Sequence, residues 1–154
     1  MSLVIRPIAS PDLDNFSRFV MGLYTDDPGG MPMTYARARR QASSMLDRPD
    51  RVRMLLIEVE AEPVGHAILV PYWSNEFGGE IMWLDEMYIA PTHRHRGIGT
   101  AVLTRLQKWA EEEGWWRVEL EAHRRNEHAP KVYERAGFEV EDRVLCGWQR
   151  VKPG

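Results

Sequence analysis

Residues 93–99 read His-Arg-His-Arg-Gly-Ile-Gly and lie between an apolar run, residues 81–89, and an amphipathic stretch, residues 100–113. A basic, glycine-punctuated turn in that place joins a strand to a helix and holds the chain to an α/β arrangement. Glycines at 97 and 99 let backbone N–H groups come close to a ligand. The helix that follows presents unpaired N–H donors and the positive end of its dipole. The segment therefore reads as an anion cradle, with a pyrophosphate as its expected occupant.

Spacing separates the known phosphate loops, because backbone geometry fixes where each needs glycine. A dinucleotide fingerprint G-x-G-x-x-G requires glycine at 102, where the chain has Val102, and it belongs to a first βα unit. A P-loop requires Gly-Lys-Ser or Gly-Lys-Thr at the helix start, and the chain has neither. What remains is Arg94-x-x-Gly97-x-Gly99 followed by an apolar helix face.

The chain has 154 residues, 44% apolar and 28% charged, which fits one globular domain over residues 1–154 with a sizeable core. A net charge of −3 argues against general nucleic-acid binding, which rewards a strongly basic face. The single cysteine, Cys146, excludes an intrachain disulfide and a cysteine-rich zinc site. His93, His95, His123 and His128 have no acidic or cysteine partner at a ligand interval, so no metal is expected. The start Met-Ser-Leu-Val-Ile lacks the regions of a signal peptide, and no apolar run is long enough for a membrane span. A cytoplasmic protein with no membrane partner is the expectation.

Residues 3–8 read as a first strand. Ser10-Pro11-Asp12 then supplies an N-cap, a first-turn proline and an acidic first turn for a helix through about Tyr24. A second helix is predicted over residues 34–46, with Arg37, Arg39 and Arg40 on a solvated face. Residues 54–60 and 64–71 form a hairpin turned at Ala61-Glu62-Pro63. In residues 80–89 the apolar positions do not alternate cleanly, which predicts a strand in the middle of the sheet, covered on both faces. Ile98, Val102, Leu106, Trp109 and Ala110 repeat at helical spacing, and Gly114 stands where a left-handed C-cap belongs. Residues 117–122 then give a strand parallel to the central one. A short helix over residues 127–136, with Asn126 as its N-cap, closes at Gly137 before final strands in residues 138–151.

The segment from Ile89 to Gly99 resembles the acetyl-CoA loop of the GNAT superfamily of N-acetyltransferases, R/Q-x-x-G-x-G/A after a central strand. A second block agrees: Asn126, Ala129, Tyr133, Gly137 and Phe138 stand at the intervals of that family's N-x-x-A-x-x-x-Y-x-x-x-G-F segment. The resemblance is sharp from about Glu80 to Val140. It implies a mixed α/β (α+β) fold with a centrally splayed sheet of six to seven strands and about four helices. It also implies an acyl-CoA-dependent N-acetyltransferase moving an acetyl group from acetyl-CoA directly to a primary amine.

On that resemblance, the backbone of Arg94, His95, Arg96, Gly97, Ile98, Gly99 and Thr100 binds the CoA pyrophosphate, with the Arg94 and Arg96 side chains adding charge. The backbone N–H groups of Met87 and Ile89, freed by a bulge in the central strand, meet the pantetheine arm and the thioester carbonyl. Asn126 and Ala129 face the CoA arm, and Tyr133 protonates the departing thiolate. A core tyrosine beside a structural cap is the plainer reading of the same spacing. Asp85 and Glu86 interrupt an apolar strand, where carboxylates need a partner or a purpose. Polyamine-type members carry an acidic pair there, so the pair suggests a general base or a cation-binding group. Adjacent strand residues face opposite ways, so only one meets the cleft unless a bulge shifts parity; an ion pair with an arginine is the alternative.

For the acceptor, the segments 24–33 and 72–80 mix Asp26, Asp27, Glu76 and Glu80 with Tyr24, Tyr72 and Trp73, a composition suited to a small or peptidic ammonium. The resemblance implies a homodimer. Cys146 has no adjacent histidine and is a poor nucleophile, so transfer is expected without an acyl-enzyme. Two rivals predict differently: a non-catalytic acyl-CoA sensor or interaction module on the same fold, and a nucleotide-binding regulatory domain.

Overall fold

The structure is a computed structural model and describes residues 1–150. Its frame is one sheet of five strands in the spatial order β1-β2-β3-β4-β5. The strands are β1 (Leu3–Pro7), β2 (Arg53–Val59), β3 (Glu62–Ser74), β4 (Gly79–Ile89) and β5 (Arg117–Leu120). Four helices cover it: α1 (Leu13–Asp26), α2 (Tyr35–Met45), α3 (Ile98–Glu113) and α4 (Ala129–Arg135). Strands β1 to β4 pair antiparallel in turn, and β5 alone pairs parallel, beside β4. The parallel pair is joined through α3, the crossover that the helical repeat after the glycine turn predicts.

Local chemistry explains most boundaries. Ser10–Asp12 forms a single 3₁₀ turn instead of the first turn of α1, because the Asp12 side chain folds back to accept from the Ala9 N–H at 2.8 Å. Arg6 fixes that turn, donating to Asp12 at 2.7 Å and to Glu58 on β2 at 2.8 Å. The β2–β3 hairpin turns one residue earlier than the sequence predicts. Glu60 and Ala61 take φ of 50° and 66°, a left-handed pair that matches the strand twist, and Glu62 and Pro63 already pair with β2. Thr34 caps α2 by accepting from the Arg37 N–H at 3.2 Å. Gly114 caps α3 at φ 77°, where any side chain would be strained.

The sheet separates two apolar layers. On one face α3 lays Ile98, Val102, Leu103, Leu106 and Ala110 against Leu55, Ile57, Leu69, Met82 and Leu84, with Val132 and Tyr133 of α4 beside them. On the other face Phe16 and Val20 of α1 and Ala38 and Ala42 of α2 cover Met54 and Leu56. Trp109 is only half-buried, so the α3 stripe is carried by Leu103 instead.

Two expectations are corrected. The described residues hold five strands, not six to seven, and β3 rather than β4 is the middle one. Residues 139–150 form no strand: all are exposed, Val140, Val144 and Leu145 cover nothing, and Glu141 is drawn to Arg117 at 2.6 Å and to Arg143 at 2.7 Å. Without an apolar face to bury, that segment gains nothing from ordering into the sheet. Val151 lies outside the described residues.

Close packing of β3 on β4 depends on Gly65, because a side-chain carbon there would run into the Tyr88 backbone carbonyl. Gly65→Ala is expected to lower stability by about 1–3 kcal/mol, the usual range for forced overpacking, read as a lower urea midpoint at unchanged slope.

Candidate active site

The pairing of β3 with β4 slips by one residue in the middle: Ile68 faces Glu86 while Leu69 faces Leu84, leaving Asp85 unmatched. This β-bulge changes which way each side chain points. Met82 and Leu84 lie on the α3 face; past the bulge Met87 and Ile89 lie there, and Glu86 and Tyr88 turn toward α1. Both Asp85 and Glu86 therefore line the same cavity, of about 510 Å³, between α1, α2 and the sheet. Parity alone would have separated them.

Glu86 is held on both oxygens. The Tyr24 hydroxyl donates to one at 2.9 Å, and His66 Nε2 lies 2.9 Å from the other. His66 is fully buried between Phe16, whose ring it meets edge-on at 5.1 Å, and Tyr88 at 6.1 Å. Its Nδ1 has no hydrogen-bond partner among the described residues, so Nε2 alone ties the ring to Glu86. Burial and the charge of Glu86 push the Tyr24 hydroxyl well above the ordinary tyrosine range, so it stays a donor. Asp85 makes no ion pair with a described cation and keeps a path to solvent. Its dense surroundings and the neighbouring charge of Glu86 push its carboxyl up, against a hydrogen bond with the Trp83 side chain that pulls it down.

Past the bulge β4 also loses its neighbour. Pairing with β5 runs from Ile81–Arg117 to Leu84–Leu120 and stops. The Ala90 N–H donates to Val64 on β3 at 2.8 Å; since successive N–H groups alternate in direction, those of Met87 and Ile89 point to the edge that β5 has left. The Ile89 carbonyl shares that side and accepts from Arg94 Nε at 2.8 Å.

The glycine turn begins at the end of β4. Pro91–His93 makes a 3₁₀ turn, His95 takes φ 61°, and Gly97 takes φ 75° immediately before α3. No side chain caps α3, and its first internal bond is from the Ala101 N–H to the Gly97 carbonyl at 3.0 Å. The N–H groups of Ile98, Gly99 and Thr100 thus lack acceptors within the helix. Gly99 lies between two elements: a side-chain carbon on it would stand 3.7 Å from Val132 of α4 and 4.0 Å from Met87 of β4. Helix start, open strand edge and α4 converge there.

Arg94 does not point into that convergence. Its guanidinium bonds Asp26 at the end of α1 at 2.5 Å and lies 5.2 Å over the Tyr88 ring, so it ties the turn to α1. His95 and Arg96 are exposed. The expected helix over 127–136 capped by Asn126 starts later, at Ala129 with His128 in the N-cap position; Asn126 still accepts from the Ala129 N–H at 3.2 Å, and Ala129 is buried. Tyr133 packs half-buried on the α3 side of the core with its ring 6.4 Å from Phe138, and burial raises its hydroxyl above the ordinary value.

Of the two acceptor segments, residues 24–33 wall the cavity. The other lies at the far end of the sheet, where Tyr72 bonds Glu119 and Phe77 stacks on Trp116. His66 is the residue that sequence reasoning passes over. Its only signal is a single polar side chain inside the apolar run Val64 to Leu69.

Comparison with known proteins bears on the family and the fold. The model of the acetyltransferase (GNAT) family matches residues 18–138. An uncharacterized N-acetyltransferase of Methanocaldococcus jannaschii is 32% identical over 151 residues; the alignment covers 96% of this chain and 65% of that protein, so the chain spans just under two thirds of its relative. Among solved structures, an integron cassette protein from the mobile metagenome of Cole Harbour Salt Marsh superposes with a TM-score of 0.80 at 28% identity, covering 97% of this chain and 91% of that one. An aminoglycoside N-acetyltransferase in complex with CoA shares the fold, with a TM-score of 0.77 at 18% identity over 97% and 96% of the two chains. The chain belongs to the GNAT family of acetyltransferases. Among the described residues, no helix is long and apolar enough to cross a membrane.

The raised Asp85 carboxyl has a consequence for stability. A folded-state value above the unfolded one favours folding at low pH, and that contribution is lost as pH rises through the folded value. Asp85→Asn removes the opposed ionisation. Its expected outcome is a higher melting temperature than the parent at pH 7, with the gap closing near about pH 4.

Proposed function

We propose that this chain, acting as one domain, moves an acetyl group from acetyl-CoA to a primary amine in a single displacement without an acyl-enzyme. The bulge at Asp85 carries the reading: it gathers two carboxylates at a cavity while the adjoining Met87 and Ile89 face an open strand edge beside the helix start. The unpaired N–H groups of Ile98, Gly99 and Thr100 bind the pyrophosphate, helped by the exposed charge of Arg96. Arg94 holds the turn in shape through Asp26 and the Ile89 carbonyl. The Met87 N–H stabilises the oxygen of the thioester carbonyl as charge develops on it.

The amine nitrogen attacks the thioester carbon, the carbon–sulfur bond breaks, and two protons move. Asp85 takes the proton that the amine sheds: Glu86 is bonded on both oxygens by His66 and Tyr24, whereas Asp85, beside the Trp83 side chain, stays exposed to an incoming ligand. Its raised value brings it closer to the proton affinity a base needs at neutral pH. Tyr133 gives a proton to the departing thiolate, and its burial keeps the hydroxyl protonated until then. Asn126 fixes the start of α4 and so the place of Tyr133.

Acetyl-CoA is expected to raise the melting temperature where ATP and NAD do not, and amines are expected to release free thiol from it. Stabilisation without thiol release on any amine would instead identify an acyl-CoA sensor. Tyr133→Phe should lower kcat by about 100-fold or more with acetyl-CoA affinity nearly unchanged, measured by thiol release and titration; an unaltered kcat would remove Tyr133 from the chemistry.

A further inference from the structure

The cavity that holds Asp85 and Glu86 has a composition of its own. Its walls are apolar, with Phe16 and Val20 from α1, Met33 from the α1–α2 connection, and Met54, Ile68 and Val70 from the sheet. Methionine and aliphatic walls of this kind bind an apolar body and adapt to its shape. The acidic floor is weaker than its two carboxylates suggest. Glu86 is bonded on both oxygens within the protein, which leaves Asp85 as the one carboxylate here to meet a ligand cation. Asp26, which could have added a second, is held by Arg94 at 2.5 Å.

A cation lines the same cavity. Arg37, half-buried on the first turn of α2, donates to the Pro32 carbonyl at 2.9 Å and makes no ion pair among the described residues. The Thr34 cap fixes the backbone of that turn, and the bond to Pro32 holds the guanidinium itself. A polycation would bring its second ammonium toward Arg37 with no carboxylate to receive it. One exposed acid, one guanidinium without an ion pair among the described residues and an apolar wall together describe a different ligand.

Resting on the acetyl-transfer reading above, we infer that the acceptor is a free amino acid with an apolar side chain: its amine lies at Asp85, its side chain against the methionine wall, and its carboxylate at Arg37. The guanidinium offers the carboxylate a forked pair of donors. Selectivity then comes from three features of one small molecule: a single amine, an apolar body and one negative group.

Thiol release from acetyl-CoA, measured over leucine, methionine, phenylalanine, glycine, the matching amino-acid amides, spermidine and kanamycin, tests this. The apolar amino acids should exceed glycine, spermidine and kanamycin in kcat/KM by about tenfold or more, and their amides should be about tenfold poorer. Arg37→Gln should raise KM for the amino acids toward that of the amides with kcat retained, and leave the amides unaffected. Best turnover on spermidine or kanamycin, or equal use of acid and amide, overturns this substrate class while acetyl transfer stands. Stabilisation by acetyl-CoA with no thiol release on any amine overturns both.

Discussion

A one-residue slip between two strands governs this molecule. If β3 and β4 paired without interruption, Asp85 and Glu86 would face opposite sides of the sheet and Met87 would change places with its neighbours. Because Asp85 is left over, both carboxylates reach the α1–α2 side, and Met87 and Ile89 pack on the α3 side. The end of β5 at Leu120 completes the effect by opening the far edge of β4 at the place where its side chains change phase. One irregular residue and one short neighbouring strand thus put an acidic cavity, a bare strand edge and a helix start within reach of each other.

The elements that carry regular patterns were legible in the amino-acid sequence. The 3.6-residue stripe of α3, its glycine at each end and the parallel strand after it follow from periodicity and backbone freedom alone. The bulge left a trace that is easily read otherwise. Apolar residues fall at 82 and 84, then at 87 and 89, a phase slip that imperfect alternation disguises as burial on both faces. Bulges need no special residue, so the acidic pair stands out in the strand while nothing marks Asp85 as the unmatched position. His66 was hidden for the opposite reason: one polar residue in an apolar run looks incidental until Glu86 is brought to it from another strand.

The error at the C-terminal end is also physical. Val140, Val144, Leu145 and Trp148 have the composition of strands, yet a strand forms only where an edge and a packing face are both on offer. Composition cannot report whether a face exists. Arg117 and Gln149 show what the segment does instead: charge draws Glu141 to Arg117, and further on the Gln149 amide donates to the Met31 sulfur at 3.0 Å at the edge of the cavity.

Arg94 joins two parts of the molecule that the sheet keeps apart. It bonds the last residue of α1 with one nitrogen and the end of β4 with another, and α1 leads straight into the connection that walls the cavity. That joint is partly exposed and ionic, so it is weaker than the packed layers on either side and is screened by salt. Where the rest of the fold is clamped by close apolar contact, this corner is pinned by one partly exposed ion pair and one hydrogen bond, so the glycine turn and the end of α1 share a polar joint that salt can loosen.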